Sequence, residues 1–322
     1  MQYKRLGNAN VNVSAFSLGS WNTFEFMPED EALSVMKTAI DAGINFLDDA
    51  RYDDTSGKAP MKTGYSEVVF GNLLRKGGFE RDKLFISNRL WFEFYPEQNA
   101  EQEVDASLER IGIEYFDLVF CFDIPKHLSA EQVVDELAAL VASGKVKYWA
   151  PGNWPIEFLA ECCAIASRKG LPLPPAAMVP YSLAMKQAFV ENDQMAALCQ
   201  EYDIALVASF SLFGGLLSGK YNDPTIASRR FKPEQLEKMR ASGLFDKIAN
   251  FLELADKTGY SPVQLAYAYC LRHPQVATVL FGATSAQQLV ENLGALQVAE
   301  KLSEANMQEL AALFPQDVSL GA

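Results

Sequence analysis

The sequence has few histidines and no long hydrophobic run. Only two of its 322 residues are histidine, which argues against a metal-dependent barrel hydrolase with several imidazole ligands. The carboxylates do not cluster at ligand spacing either, so we predict no metal site. No apolar run is long enough to cross a bilayer. The N-terminal residues lack the apolar stretch of a secretory signal, so we expect a cytoplasmic protein that does not enter the membrane.

Basic residues are fewer than acidic residues in this chain. Lysine and arginine number 28 against 41 acidic residues, which gives a formal net charge of −13. A surface of this sign repels nucleic acid and anionic membranes, so we expect small-molecule partners. An anionic ligand would then need a local group of cations. Lys220, Arg229 and Arg230 are the candidates for that group, and solvated loop charges are the alternative interpretation.

Cysteine is also scarce. The five cysteines have an odd number and no paired spacing, which excludes a complete disulfide framework and a zinc motif. We expect most of them to be small buried apolar residues.

Short apolar runs alternate with amphipathic segments along the whole chain, with no linker rich in serine, glycine or proline. This repeated βα pattern predicts one (β/α)8 TIM barrel over residues 1–322, and a doubly wound sheet is the second choice. The 49% of hydrophobic residues suffices for a large core. The predicted strands are 16–18, 45–48, 84–89, 115–121, 146–151, 177–180, 205–209 and 276–281. The predicted helices include 28–42, 100–111, 129–143, 155–169 and 194–202.

Polar and aromatic residues follow the predicted strands. In a TIM barrel the catalytic groups lie on the loops after the carboxyl ends of the strands, so these residues should meet at one face. They occupy positions 19–21, 48–52, 88–89, 122–123, 152–154, 181–182 and 209–211.

The segment 281–292 has the pattern of a phosphate site. Gly282 permits a turn after the last strand, and Thr284 or Ser285 can cap the helix that follows. The free N–H groups at such a helix start favour an anion. Four polar residues recur there at helical spacing: Thr284, Gln288, Glu291 and Asn292. An ordinary capped and solvated helix is the alternative.

From about Tyr3 to the helix after Ser303, the chain resembles the aldo-keto reductase family. The similar motifs are LGSW at 18–21, DAGINFLD at 41–48, GKVKY at 144–148, GLLSGKY at 215–221 and GATSAQQLVEN at 282–292. The first residues are similar to the β-hairpin that closes the barrel floor in that family. The branch that the chain resembles contains bacterial reductases and potassium-channel β-subunits.

The resemblance implies a nicotinamide dinucleotide that lies extended across the barrel mouth without a Rossmann glycine fingerprint. Asn153 would bind the carboxamide, Tyr181 would stack on the nicotinamide, and Leu212 and Lys220 would lie along the pyrophosphate. In many family members the position of Gln288 is an arginine that pairs with the 2′-phosphate, so NADP(H) is favoured and NAD(H) stays possible. The other cofactor residues would be Gly19, Ser20, Trp21, Thr284, Glu291 and Asn292.

The resemblance also implies a catalytic set of aspartate, tyrosine, lysine and histidine, from which this chain departs. Asp48 matches the aspartate, and Arg89 occupies the lysine position. Tyr52 follows Asp48 after three residues where the family has four, and Tyr65 is a second candidate if the long loop 53–64 folds back. Arg89 can form a bidentate pair with Asp48 and still favours a tyrosinate, although it cannot act as a neutral amine. Phe122 occupies the histidine position.

Neither histidine of the chain is an obvious substitute. His127 lies five residues after Phe122 and is more consistent with a solvated loop, whereas His273 lies near a strand start. Asp53 or Asp123 could supply an acid instead.

Two functions follow from these observations. The first is an oxidoreductase that transfers a hydride between NADP(H) or NAD(H) and a carbonyl or alcohol substrate, with Asp48, Tyr52 and Arg89 as its catalytic residues. The second is a cofactor-binding sensor or regulatory protein with little or no turnover. The sequence leaves the oligomeric state open. The substrate pocket would be formed by Trp91, Phe122 and Trp154, with Trp21, Phe92 and Phe94 nearby.

Overall fold

The barrel is the centre of the molecule. The computed structural model describes residues 1–228 and 230–318. Eight parallel strands form one sheet whose order is β7-β6-β5-β4-β3-β10-β9-β8. A parallel bridge between Gly152 and Met178 joins its two ends, so the barrel is nearly closed. The strands are β3 (Phe16–Gly19), β4 (Phe46–Asp48), β5 (Phe85–Leu90), β6 (Phe116–Cys121), β7 (Val146–Pro151), β8 (Ala176–Pro180), β9 (Ala205–Ser209) and β10 (Val276–Phe281).

All eight predicted strands are confirmed, each within one residue at either end. The (β/α)8 prediction is therefore correct. Their near-continuous apolar sequences reflect burial on both faces, by the barrel interior and by the surrounding helices.

An antiparallel hairpin precedes the barrel. It consists of β1 (Tyr3–Arg5) and β2 (Asn12–Ser14), which pair with Tyr3 opposite Ser14. Leu6, Ala9 and Val13 belong to the same buried cluster as the side chains inside the barrel. The hairpin therefore closes one end of the barrel, and the carboxyl ends of the strands form the open mouth.

Alternation along the strands decides which side chains enter the mouth. Phe46 packs inside the barrel, whereas Leu47 packs between the strands and the helices. Because successive strand residues point to opposite faces, Asp48 points inward again. In β5 the same alternation puts the side chain of Arg89 on the inward face, as it does that of Phe85, which packs inside the barrel.

Helices surround the strands and cover their outer faces. Several begin at the residues expected from their caps: Asn99 and Ser129 each accept a hydrogen bond from the backbone at the third helical position. The α-helices are α1 (Glu29–Asp41), α2 (Tyr65–Gly77), α3 (Ala100–Ile111), α4 (Ala130–Ala142), α5 (Ile156–Lys169), α6 (Asp193–Tyr202), α7 (Pro233–Ala241), α8 (Leu244–Thr258), α9 (Pro262–Leu271), α10 (Ala286–Leu293), α11 (Ala295–Lys301) and α12 (Glu304–Leu313). Short 3-10 helices cover Phe24–Phe26, Arg81–Lys83, Phe213–Ser218 and Lys220–Asn222.

Two further expectations concern the composition. All five cysteines are buried and free, as expected for small apolar residues. Within residues 1–228 and 230–318, no helix combines the length and the apolar character that a membrane crossing needs.

Candidate active site

A buried ion pair lies at the carboxyl ends of β4 and β5. Asp48 is 1% exposed, and its Oδ2 accepts a hydrogen bond from Arg89 Nη2 at 3.0 Å. Its Oδ1 accepts a second bond from the Ser87 hydroxyl at 2.6 Å. The pair is therefore not the expected bidentate one, because Ser87 takes the second carboxylate oxygen. Ser87 shares the inward parity of Arg89 and was not identified from the sequence.

Tyr52 lies beside this pair. The loop 53–64 closes on itself, because the Gly64 N–H donates to the Tyr52 carbonyl at 2.9 Å. The Tyr52 N–H donates to the Ser66 hydroxyl at 3.4 Å. These contacts hold the tyrosine ring at the mouth, with centroid distances of 6.2 Å to Trp21 and 6.5 Å to Trp91. The structure thus brings Tyr52 next to Asp48 and Arg89 despite the shortened spacing.

The electrostatics of Tyr52 combine burial with a nearby cation. Its hydroxyl is buried and has no hydrogen-bond partner among the described residues. Burial raises the pKa of Tyr52 well above its ordinary value, and the charge of Arg89 opposes that rise. The Arg89 guanidinium carbon lies 5.3 Å from the centroid of the tyrosine ring. The arrangement provides a neutral proton donor whose deprotonated form would face a fixed positive charge.

Phe122 directly follows β6 and lies beside Arg89. Its ring centroid lies 5.3 Å from the Arg89 guanidinium carbon and 5.3 Å from the Trp91 ring. A Cβ on Gly152 would lie 2.4 Å from atoms of the same ring. Residue 152 must therefore lack a side chain for Phe122 to occupy this place.

Neither histidine enters the mouth. His127 is exposed, and its ring stacks at 6.1 Å from Tyr95. The ring centroid of His273 lies 5.7 Å from that of Tyr181. Burial there lowers the pKa of the imidazole. Tyr65, the second tyrosine candidate, begins α2 as a half-buried residue.

A cavity of about 540 Å³ opens beside Tyr52. This volume lies within the usual range for small-molecule sites, about 300–1,000 Å³. Aromatic rings and carboxylates share its walls, and within the described part of the chain no cluster of His, Cys, Asp and Glu fits a metal ion. The wall residues include Arg51, Tyr52, Asp53, Trp91, Phe92, Glu93, Tyr95 and Asp123.

Trp154 lies outside this pocket, contrary to the expectation from the sequence. The preceding Asn153 has a left-handed φ of 58°, which redirects the chain after β7. The Trp154 indole N–H donates to the Cys121 carbonyl at 2.7 Å, and its ring packs 6.0 Å from Trp149. The residue therefore belongs to the layer between the strands and the helices. The expected carboxamide ligand Asn153 is exposed at the turn itself.

Tyr181 also differs from its expected placement. Val179 packs on the outer face of β8, so the parity of the strand puts Tyr181 on that face as well. Its ring is 2% exposed and packs 5.9 Å from Tyr269 of α9, while its hydroxyl donates to Glu191 at 3.3 Å. A ring in this layer cannot stack on a ligand in the mouth.

Phe210 is an aromatic residue near the mouth that was not assigned a role from the sequence. It follows β9 with a left-handed φ of 60° and is half-buried. The Arg230 guanidinium carbon lies 5.9 Å from the Phe210 ring and 4.4 Å from the Trp21 ring. The available signal was its position at a strand end, directly before Ser211.

The other expected cofactor residues lie around this side of the mouth. Trp21 is 41% exposed, and Leu212 is half-buried before the 3-10 helix Phe213–Ser218. Lys220 is exposed, and its ammonium lies 4.7 Å from the Tyr221 ring centroid. Gly19 closes β3, where a Cβ would lie 3.2 Å from Leu280. Arg229, the third cation of the expected group, lies outside the described residues.

Ser20 faces away from the mouth. Its buried hydroxyl donates to Asp49 Oδ1, and the second oxygen of Asp49 has no hydrogen-bond partner among the described residues. Burial raises the pKa of Asp49 well above its ordinary value, and the nearby Glu67 adds to that rise. Glu67 itself is fully buried and accepts hydrogen bonds from Asn88, at 3.0 Å, and from Arg110. These bonded polar residues lie in the layer behind the side chains that face the mouth.

The start of α10 is capped as its sequence suggests. Ser285 is the N-cap, and its hydroxyl accepts from the Gln288 N–H at 3.1 Å. The Gln288 side chain folds back and accepts from the Thr284 N–H at 2.7 Å. Thr284, Gln288 and Glu291 are exposed, whereas Asn292 is 4% exposed. Three of the four polar residues therefore share the accessible face, and one helix-start donor is already bonded within the chain.

Comparisons with known proteins agree with this architecture. The model of the aldo/keto reductase family matches residues 15–314. A protein from Oryza sativa subsp. japonica named "Probable voltage-gated potassium channel subunit beta" is 28% identical over 326 residues, which cover 97% of this chain and 96% of that protein. A protein from Schizosaccharomyces pombe named "Putative voltage-gated potassium channel subunit beta" is 28% identical over 318 residues, covering 94% and 90%. The chain belongs to the aldo/keto reductase family.

Proposed function

We propose that this protein is a nicotinamide-dependent oxidoreductase that interconverts a carbonyl and an alcohol. One observation carries the proposal: Tyr52 lines a cavity beside the buried pair of Asp48 and Arg89, and its buried hydroxyl has no partner among the described residues. An unpaired buried hydroxyl is costly unless a ligand completes its hydrogen bonding. A substrate oxygen is such a partner.

The chain's own residues would move the proton. Tyr52 donates its hydroxyl proton to the carbonyl oxygen while the carbonyl carbon receives a hydride, so the product is an alcohol and the residue becomes a tyrosinate. Arg89 stabilises that anion by its charge, and Asp48 and Ser87 hold the guanidinium in position. Water then returns a proton to Tyr52. The reverse sequence oxidises an alcohol.

A bound nicotinamide dinucleotide would supply or accept the hydride. The residues around the mouth are compatible with such a molecule in their chemistry. Phe210 and Trp21 offer aromatic surfaces, and Lys220 and Arg230 offer positive charge without an acidic partner among the described residues. The start of α10 favours an anion. Thr284, Gln288, Glu291 and Asn292 stay the proposed residues for the adenosine end, with Asn153 for the carboxamide.

NADP(H) is the proposed preference, and NAD(H) is compatible with the same residues. Gln288 is a neutral amide that would contact a 2′-phosphate without the charge of an arginine. Its bond to the Thr284 N–H must open before either group can bind a phosphate. The discrimination between the two cofactors should therefore be small.

Phe122 favours a second candidate function, a nicotinamide-binding sensor or regulatory protein. A phenyl ring neither donates to a carbonyl nor carries a proton, so turnover would be slow while cofactor binding stays intact. The two relatives named as potassium-channel β-subunits are consistent with a regulatory role for this chain.

Two measurements on the purified protein separate these functions. Fluorescence titration with NADPH and NADH should give saturable binding under either function. Stopped-flow mixing of the NADPH complex with a panel of aldehydes and ketones should show cofactor oxidation if the protein is a reductase. Binding without oxidation across the panel would favour the sensor, and failure to bind both dinucleotides would exclude both functions.

A further inference from the structure

Two residues that line the 540 Å³ cavity each carry a buried polar atom without a hydrogen-bond partner among the described residues. One is the hydroxyl of Tyr52, and the other is the indole Nε1 of Trp91. Leaving a buried N–H unpaired costs free energy, so such groups are uncommon unless a ligand or a water completes them. A second unpaired donor beside Tyr52 therefore needs an explanation that the proton transfer does not provide.

Trp91 is held firmly in place. Its backbone N–H donates to Glu103 Oε1 at 2.9 Å, and the N–H of Phe92 donates to Glu103 Oε2 at 3.0 Å. Its ring lies between Tyr52 and Phe122, with centroid distances of 6.5 Å and 5.3 Å. The backbone of Trp91 is thus held by Glu103, and its indole packs against two neighbouring rings.

The substrate oxygen needs a second donor. A carbonyl oxygen accepts two hydrogen bonds, and Tyr52 supplies one. Arg89 donates to Asp48 through Nη2, and its Nε is also buried without a partner among the described residues, but the residue does not line the cavity. Neither histidine lines the cavity. Among the described residues that line it, Trp91 is the one with an unpaired buried N–H.

We propose that the indole N–H of Trp91 donates a hydrogen bond to the substrate oxygen and, with Tyr52, orients the carbonyl for hydride transfer. This role rests on the proposed oxidoreductase function. An indole N–H is a donor only and does not titrate in the physiological range. Trp91 therefore binds and orients the substrate, and Tyr52 alone transfers the proton.

Kinetics of three variants test this role with 4-nitrobenzaldehyde and NADPH. Trp91→Phe removes the N–H and should lower kcat/KM about tenfold, the usual effect of losing one neutral hydrogen bond. Trp91→His keeps a ring N–H and should recover part of that loss, with a new pH dependence near the imidazole pKa of about 6.5. Trp154→Phe is the matched control, because it removes an indole that is already bonded to Cys121 outside the cavity.

Stability provides the contrast between the two tryptophans. Trp154→Phe removes one of the two hydrogen bonds that the Cys121 carbonyl accepts and leaves the bond from the Gly152 N–H, so its melting temperature should fall slightly while kcat/KM stays unchanged. Trp91→Phe removes an unpaired donor, so its loss of activity should exceed its loss of stability. Equal kcat/KM in wild-type protein and Trp91→Phe would overturn the proposal, and so would a loss of activity in Trp91→His as large as that in Trp91→Phe.

NMR of the tryptophan indole N–H signals tests the proposed donor role of Trp91 without requiring turnover. The indole N–H signals of the four tryptophans can be followed by NMR in the complex with oxidised cofactor, with Trp91 assigned from the Trp91→Phe spectrum. N,N-Dimethylbenzamide, a carbonyl compound that is not reduced, should shift the Trp91 signal downfield. Such a shift without aldehyde turnover would overturn the reductase function alone. Saturable binding that leaves the Trp91 signal in place would overturn the donor role alone.

Discussion

The two sides of the barrel mouth are built differently. On the side of β4 and β5, Ser87 and Arg89 both donate hydrogen bonds to Asp48, which is almost fully withdrawn from solvent. On the side of β9 and β10, Lys220, Arg230 and Gln288 are exposed. Gln288 bonds only to its own helix start, and Lys220 and Arg230 rest on aromatic rings.

This difference matches what each side is proposed to do. A group that transfers a proton must be positioned closely, and buried hydrogen bonds preserve that position. A group that binds a phosphate must exchange water for ligand, and exposed charges contribute little individually. Substitutions on the buried side should therefore have large effects, and those on the exposed side small ones.

The largest effect is expected from Tyr52→Phe, which removes only the hydroxyl. Turnover should fall by about two orders of magnitude or more, the typical contribution of a general acid, while the dissociation constant of NADPH stays unchanged. Stopped-flow cofactor oxidation and fluorescence titration measure the two quantities. Tyr65→Phe is the matched control and should retain wild-type turnover, because Tyr65 begins α2 and does not line the cavity beside Tyr52. The reverse result would transfer the acid role to Tyr65.

An intermediate effect, on the free energy of unfolding, is expected from Asp49→Asn in the layer behind the mouth. Because the pKa of Asp49 is raised in the folded state, the protonated form stabilises the fold at low pH, and that stability is lost as the pH rises toward the folded pKa. The advantage of the variant in free energy of unfolding should grow with pH above about 4, by at most about 1.4 kcal/mol per pH unit.

Urea unfolding at a series of pH values measures this dependence. The exposed Asp256→Asn of α8 changes the net charge equally and should show no such trend. A constant difference between Asp49→Asn and wild-type protein would mean that Asp49 is ionised in the folded state.

The smallest effect is expected on the exposed side, from Gln288→Arg. An arginine can pair with a 2′-phosphate, so NADPH affinity should rise about fivefold relative to NADH, within the range of an exposed ion pair. The neighbouring Gln287→Arg adds the same charge on the same helix and serves as the control. Fluorescence titration with both dinucleotides measures the ratio. An equal gain for both cofactors, or an equal effect of the two variants, would separate Gln288 from the adenosine end.

The strands and the buried pair were accessible from the sequence because they depend on local patterns. Short apolar runs of three to seven residues bounded by turns identified every strand of the barrel. The positions at and just after the strand ends identified Asp48, Arg89 and Phe122, since period-two alternation continues to the strand end. The same rule, applied with its parity, puts Tyr181 on the outer face of β8. The family resemblance had suggested the opposite.

The sequence did not predict the places of Trp154 and Phe210, which lie where the backbone leaves the strand geometry. Asn153 and Phe210 both have a positive φ, which reverses the direction expected for the next side chains. No pattern in the sequence predicted that reversal. Because of it, Trp154 packs in the layer between strands and helices, and Phe210 contacts Arg230. The single hydrogen bond of Arg89 to Asp48 has a different cause, because Ser87, which pairs with Asp48 across β4 and β5, donates to the other carboxylate oxygen.

The sequence by itself determined the barrel, its eight strands and the face at which polar groups collect, because burial on both sides of a strand imposes a repeating composition. Only the tertiary structure decided which polar atoms are paired and which are free. The orphaned hydroxyl of Tyr52 and the orphaned indole N–H of Trp91 result from contacts between residues far apart in the chain. Hydrogen-bond satisfaction is a property of such contacts, so no local pattern records it.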